Sequence, residues 1–165
     1  MFDLDGTLID TMGGFADLAA ELIQEHYGVE LRLARKRYLE TSGIPFSQQL
    51  EVIFPGDERN DSVAQTYEDR KPAICIHASM DSDTIWMLNL LHHWNIRVVV
   101  SSNSAQHFVD DFAQKAAFPF DLALGFGDGL AKGQPHVDEV RRRFGVSPAQ
   151  ILFVGDSLKD GELAE

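Results

Sequence analysis

Basic residues are scarce in this chain: 14 lysines and arginines stand against 26 aspartates and glutamates, a formal net charge of -12 over 165 residues. So acidic a surface argues against broad binding to nucleic acid or anionic membranes, which need clustered Lys and Arg. Cysteine is nearly absent. Cys75 stands alone, so the chain can form no internal disulfide and no thiolate metal site, and the residue reads as a buried, inert thiol. No apolar run reaches the roughly 18 residues of a membrane span, and no signal-peptide pattern opens the sequence. Together these absences point to a reducing, cytoplasmic setting. Repeats and low-complexity tracts are also missing. What is present is an ordinary globular composition, 44% apolar and 24% charged. The length suits one α/β domain, or a small core carrying an insert.

Two textures divide the chain. A short strand, Met1 to Leu4, meets a turn at Gly6-Thr7. From there to residue 78 the pattern is helical without a convincing strand. Phe15, Leu18, Ala19, Leu22 and Ile23 fall at i, i+3, i+4, i+7 and i+8, one face of a helix that Gly28 can end in the left-handed conformation. Further helices are expected at 32–41, 46–54 and 61–70, with Phe46, Leu50, Ile53 and Phe54 on one face of the middle one. Residues 71–79 read as a return linker. After residue 80, helices alternate with short β-rich runs. Asp81 or Ser82 can cap a helix to Trp94 with Ile85, Leu88 and Leu91 inward. Strands are expected at 96–100, 121–124 and 151–154, with helices at 105–116 and 136–144. This alternation predicts an α/β fold, a doubly wound parallel sheet built from 1–12 and 80–165, with an all-helical insertion at 13–79.

Open parallel sheets bind ligands beyond the carboxyl ends of their strands, and polar residues gather there. The first strand ends Phe2-Asp3-Leu4-Asp5-Gly6-Thr7-Leu8. Asp3 and Asp5 are two apart, so on extended backbone their carboxylates face the same way. That pair suits a metal site, or a nucleophile with an acid beside it. The strand at 96–100 runs into Ser101-Ser102-Asn103-Ser104, whose hydroxyls and N–H groups can cradle a phosphate, or simply cap a helix. Lys132 follows the strand at 121–124 and could neutralise a phosphoryl oxygen. Gly125, Gly127 and Gly129 lack the GxGxxG spacing of a nucleotide loop. The strand at 151–154 ends Gly155-Asp156-Ser157-Leu158-Lys159-Asp160, where two carboxylates can converge on a cation or cap a surface helix.

DxDGT, then Ser, Lys and GDxxxD, each at or just after a strand end, form an order that resembles the haloacid dehalogenase superfamily of phosphatases and phosphomutases. The resemblance covers nearly the whole chain. It implies a Rossmann-like core and a mobile helical cap at 13–79, as in the phosphoglycolate phosphatase and β-phosphoglucomutase branch, with Thr41-Ser42-Gly43-Ile44-Pro45-Phe46 as specificity loop. It also implies Asp3 as nucleophile and Asp5 as general acid/base. Ser101 or Ser102, beside Asn103, would hold the phosphoryl group, with Lys132 pairing Asp3 and the phosphate. Mg²⁺ would be held by Asp3, the backbone carbonyl of Asp5, and Asp156 supported by Asp160. Three departures stand out: Lys132 is followed by Gly-Gln-Pro rather than directly by Pro, only two residues precede Asp3, and the chain stops just after the last motif, as a fragment would.

The expected activity is magnesium-dependent hydrolysis of a small phosphorylated metabolite through an aspartyl-phosphate. A local cation is required because two unit charges at about 4 Å repel by roughly 4 kcal/mol at an effective dielectric near 20. A phosphomutase shares every core residue and is the nearest alternative; an inactive fragment or binding module on the same fold is another. A dehalogenase would need neither Asp5 nor magnesium. His92 and His93 point to different helix faces and do not read as a metal pair. Trp86 and Trp94 read as core.

Overall fold

The computed structural model describes residues 1–75, 78–127 and 129–164, side chains excepted for 163 and 164. The chain divides into two compact units, Met1–Asp10 with Ser79–Glu165, and Thr11–Ala78. No helix among the described residues is long and apolar enough to cross a membrane.

Among the described residues of the second unit the regular elements are all helices: α1 (Met12–Tyr27), α2 (Leu31–Glu40), α3 (Phe46–Ile53) and α4 (Asn60–Cys75). In α1 the predicted face is the buried one, with Phe15, Leu18, Ala19, Leu22 and Ile23 all in the core. Gly28 ends the helix at φ 70°, its N–H reaching the Gln24 carbonyl at 3.0 Å. Glu30 caps α2 by accepting from the N–H groups of Arg32 and Leu33, both at 3.0 Å. The middle of the unit is aromatic. Tyr67 packs against Phe46, Tyr38 and Phe15 with ring centroids 4.2, 6.2 and 6.3 Å away, and the Tyr38 and Tyr67 hydroxyls meet at 2.9 Å. A hole at fully buried Leu50 would cost about 2–5 kcal/mol.

The expected linker at 71–79 is corrected here. Helix α4 runs through Pro72 to Cys75, since losing one N–H donor does not end a helix whose other turns are packed. Residues 76 and 77 lie outside the described set. Cys75 is half-buried against the helical core rather than sealed inside it.

In the first unit α5 (Ser82–His93) is capped by Asp81, which accepts from the Thr84 N–H at 2.7 Å. Asn95 then reverses the chain at φ 59°. Next come β1 (Val99–Ala105), α6 (Gln106–Lys115), β2 (Leu122–Phe126), α7 (Gln134–Phe144), one 3-10 turn (Pro148–Gln150) and α8 (Leu158–Ala164). β1 and β2 are parallel, with Val99 opposite Leu122 and Ser101 opposite Leu124. The expected first and last strands are reduced to single bridges: Phe2 pairs in parallel with both Val100 and Val154. Phe2 N–H donates to Val99 O and Ser101 N–H to Phe2 O, both at 2.8 Å; Asp3 N–H donates to Val154 O at 2.8 Å. The order across the parallel array is therefore β2, β1, Phe2, Val154. Val99 and Leu124 pack with Val140, Val137 and Phe144 of α7.

Trp86 and Trp94 are 67% and 60% exposed, against the expectation of core. Leu88 is the residue α5 buries completely. Trp86 lies two residues earlier, about 200° around the helix, so burying one turns the other outward. His92 rests on the Phe118 ring, centroids 4.4 Å apart, and pairs with Asp121 at 2.9 Å.

Candidate active site

Asp3 is positioned by the central bridge. Phe2 pairs with Val100 on one side and Val154 on the other, the Asp3 N–H donates to the Val154 carbonyl at 2.8 Å, and Asp3 Oδ1 accepts from the Leu4 N–H at 2.8 Å, which fixes the side chain. Its Oδ2 meets Lys132 Nζ at 2.9 Å. The same ammonium also contacts Asp160 Oδ1. All three groups are buried, the Lys132 side chain being 3% exposed, so each charge depends on the others for what water would otherwise supply.

The last motif forms a helix cap. Ser157 and Asp160 bond reciprocally at the start of α8: Asp160 Oδ2 accepts from Ser157 N–H at 3.0 Å and Oγ at 2.7 Å, while Asp160 N–H donates to Ser157 Oγ at 3.3 Å. That is a capping box. The other carboxyl oxygen of Asp160 turns to Lys132. Asp156 remains on the exposed rim, and one ligand oxygen from each of Asp3, Asp156 and Asp160 falls within 4.8 Å of the others.

Charge is out of balance here. Burial, the largest effect, pushes the Asp3 carboxyl up to about 7; Lys132 opposes this, and the charges of Asp160 and Asp5 add to it. Three carboxylates around one ammonium call for more positive charge. An all-oxygen donor set of this kind matches a hard divalent cation such as magnesium, which retains several waters. The residues fit such an ion.

The Asp5 carboxylate lies outside that group of three. Its Oδ2 accepts from the Ser104 hydroxyl at 2.7 Å and the Ser102 hydroxyl at 3.4 Å. The strand period explains the partners. On β1, Ser102 and Ser104 are two apart and share a face, whereas Ser101 shares the face of Val99, toward α7. Ser101 Oγ accordingly meets His136 Nδ1 at 2.8 Å. The structure thus gives Ser102, not Ser101, to the Asp5 side, and Asn103 lies between the two serines on β1, half-buried. His136 was missed from sequence, and Ser104, read there as part of a phosphate cradle, turns out to be the nearer partner of Asp5.

Comparison with known proteins identifies the family. The family model described as haloacid dehalogenase-like hydrolase matches residues 1–165. The chain belongs to the haloacid dehalogenase-like hydrolases. A phosphoglycolate phosphatase of Nitrosospira multiformis is 31% identical over 99% of this chain and 77% of its own length. Among solved structures, a haloacid dehalogenase-like family protein of Streptococcus pneumoniae superposes with a TM-score of 0.78 at 20% identity, covering 99% of this chain and 77% of that one. CbbY of Rhodobacter sphaeroides, solved in complex with phosphate, gives 0.72 at 18%, covering 99% and 79%. At those identities the two structures establish the α/β fold of this hydrolase family.

Proposed function

We propose that this hydrolase is a phosphatase that cleaves a small phosphate monoester by transferring the phosphoryl group to Asp3. The observation that carries the reading is Lys132, buried between Asp3 and Asp160 with Asp156 close by. A lysine so placed holds the nucleophile's oxygen in a fixed direction and faces the charge of an arriving phosphate. Asp3 attacks phosphorus in line, and the ester oxygen leaves as Asp5 gives it a proton. Asp5, steered by Ser104 and Ser102, then takes a proton from the water that attacks the aspartyl-phosphate, freeing phosphate and Asp3. Ser102 lies beside Asp5, where its hydroxyl can donate to a phosphoryl oxygen. Asp3, Asp156 and the Asp5 carbonyl would hold magnesium, with Asp160 in support. When bound, the ion supplies the positive charge that lets an anionic nucleophile approach a phosphate dianion.

The helical unit is read as the cap that excludes bulk water and selects the substrate, with Thr41–Phe46 as its specificity loop. The acidic surface and lone cysteine favour a cytoplasmic metabolite over a polymer. The Nitrosospira relative's name makes phosphoglycolate the first compound to assay. A panel of phosphorylated metabolites, scored for phosphate release with and without magnesium, tests the proposal. Asp3→Asn and chelation should each abolish release, and turnover that survives both sinks it. Isomer formation in place of release would make the protein a mutase.

A further inference from the structure

The loop that carries Lys132 is rich in glycine. It leaves β2 at Phe126 and enters α7 at Gln134, and Gly127, Gly129 and Gly133 within it sit at φ 139°, 81° and 128°. Glycine loses more backbone freedom on ordering than any other residue, so such a loop needs an external anchor. The reciprocal bonds between Gly127 and Leu130, at 3.1 and 2.8 Å, close a turn before Lys132 is reached.

His136 is placed to be that anchor. It lies in the first turn of α7 and is fully buried. Its Nε2 faces the Gly125 carbonyl at 3.1 Å, and its Nδ1 faces Ser101 Oγ at 2.8 Å. A carbonyl only accepts, so Nε2 carries the proton, and Nδ1 of the neutral ring accepts from the Ser101 hydroxyl. Burial keeps the imidazole below its ordinary pKa, and the nearby Lys132 charge acts in the same direction against the Gly125 bond. One ring therefore ties the strand before the loop to the helix after it, and both to β1, which brings Ser102 to Asp5. Gly125 also lets β2 lie close to the junction of β1 and α6: a Cβ there would lie 2.6 Å from Gln106 Cα and 2.8 Å from Ser104 O.

We propose that His136 is a positioning residue that, with Ser101, clamps the base of this loop so that Lys132 reaches Asp3 and Asp160. The proposal rests on the role given to Lys132 above. It is tested by kinetics and melting curves of His136→Ala, His136→Gln and Ser101→Ala, each alone and in a Lys132→Ala background. His136→Ala should lower kcat about 10- to 100-fold with KM within about threefold, the scale on which a displacement of about 1 Å acts. Glutamine, with one donor and one acceptor, should recover part of that loss, and Ser101→Ala should cost about threefold or more. In the Lys132→Ala background the same changes should alter kcat less than about twofold, because the lysine they act through is gone. Equal losses in both backgrounds, or unchanged kcat in all three variants, overturn the clamp. Should His136→Ala not fold, Ser101→Ala and His136→Gln carry the comparison. If Lys132→Ala turns over like wild type, the role of the lysine fails instead. Hydrogen exchange at residues 130–133 then decides the clamp alone: faster exchange in His136→Gln and Ser101→Ala supports it, and unchanged exchange overturns it.

Discussion

Gly155 and Asp160 approach so closely that a Cβ on the glycine would strike the Asp160 carboxyl. Asp160 can fold back to cap α8 and still reach Lys132 only because that volume is empty. Gly155→Ala should therefore push the carboxyl away from the lysine, cost about 1–3 kcal/mol as overpacking does, and lower kcat at least tenfold on the scale of a catalytic misplacement of about 1 Å. Gly161, also in α8, has nothing within 4 Å of such an atom. Gly161→Ala should leave stability unchanged or raise it by about 0.5–1 kcal/mol. Chemical denaturation of the two variants beside wild type separates crowding from helix propensity, and equal behaviour would refute the steric account.

Lys132 is the next place to intervene. Replacing it with methionine keeps much of the volume and removes the charge between two buried carboxylates. Breaking a buried pair in this way costs about 3–5 kcal/mol, and losing a donor aimed at reacting oxygens costs about 10² to 10³-fold in kcat. Added magnesium should restore part of the stability and none of the turnover, readable as a shift of the denaturation midpoint in parallel with the assay.

Asp3 predicts a direction with pH. Its carboxyl is raised from 3.8 to about 7, so without metal the folded protein keeps a proton there that the unfolded chain releases. This group's contribution to stability is greatest below about pH 4, declines as pH rises, and levels off above about 7. Asp3→Asn cannot titrate, and other groups cancel in the comparison. In chelator, the melting temperature of wild type minus that of Asp3→Asn should fall between pH 5 and pH 7.5 by at least about 3 °C, the shift that about 1 kcal/mol produces in a chain of this size. Magnesium should flatten the trend. A difference that rises with pH would contradict the burial of Asp3.

The gathering of Asp3, Lys132, Asp156 and Asp160 was legible because each stands at or just after an expected strand end, whereas the period of two did not bring the Asp5 carboxylate into that group. The helical face of α1 was legible from its spacing. His136 was not, since nothing local marks it; its meaning comes from β1 and β2 lying side by side, which brings Ser101 and Gly125 to one ring. The choice between Ser101 and Ser102 turns on which face of β1 meets α7, and that is a tertiary fact. The outer strands were read too generously. Apolar residues at 1–2 and 151–154 announce burial or pairing, but the ladder forms only at Phe2 and Val154. Trp86 and Trp94 misled because a large aromatic suggests an interior, whereas the buried position of α5 is fixed by Leu88.

The bridge from Phe2 to Val154 sets an order of events during synthesis. Asp3 precedes Asp156 and Asp160 by about 150 residues along the chain, and closing so long a stretch is entropically slow. A nascent polypeptide can assemble its helical unit before Asp156 is made, but it holds no complete cluster of acids until Asp160 has emerged. The acidic cluster is therefore completed only after the helical unit has been made.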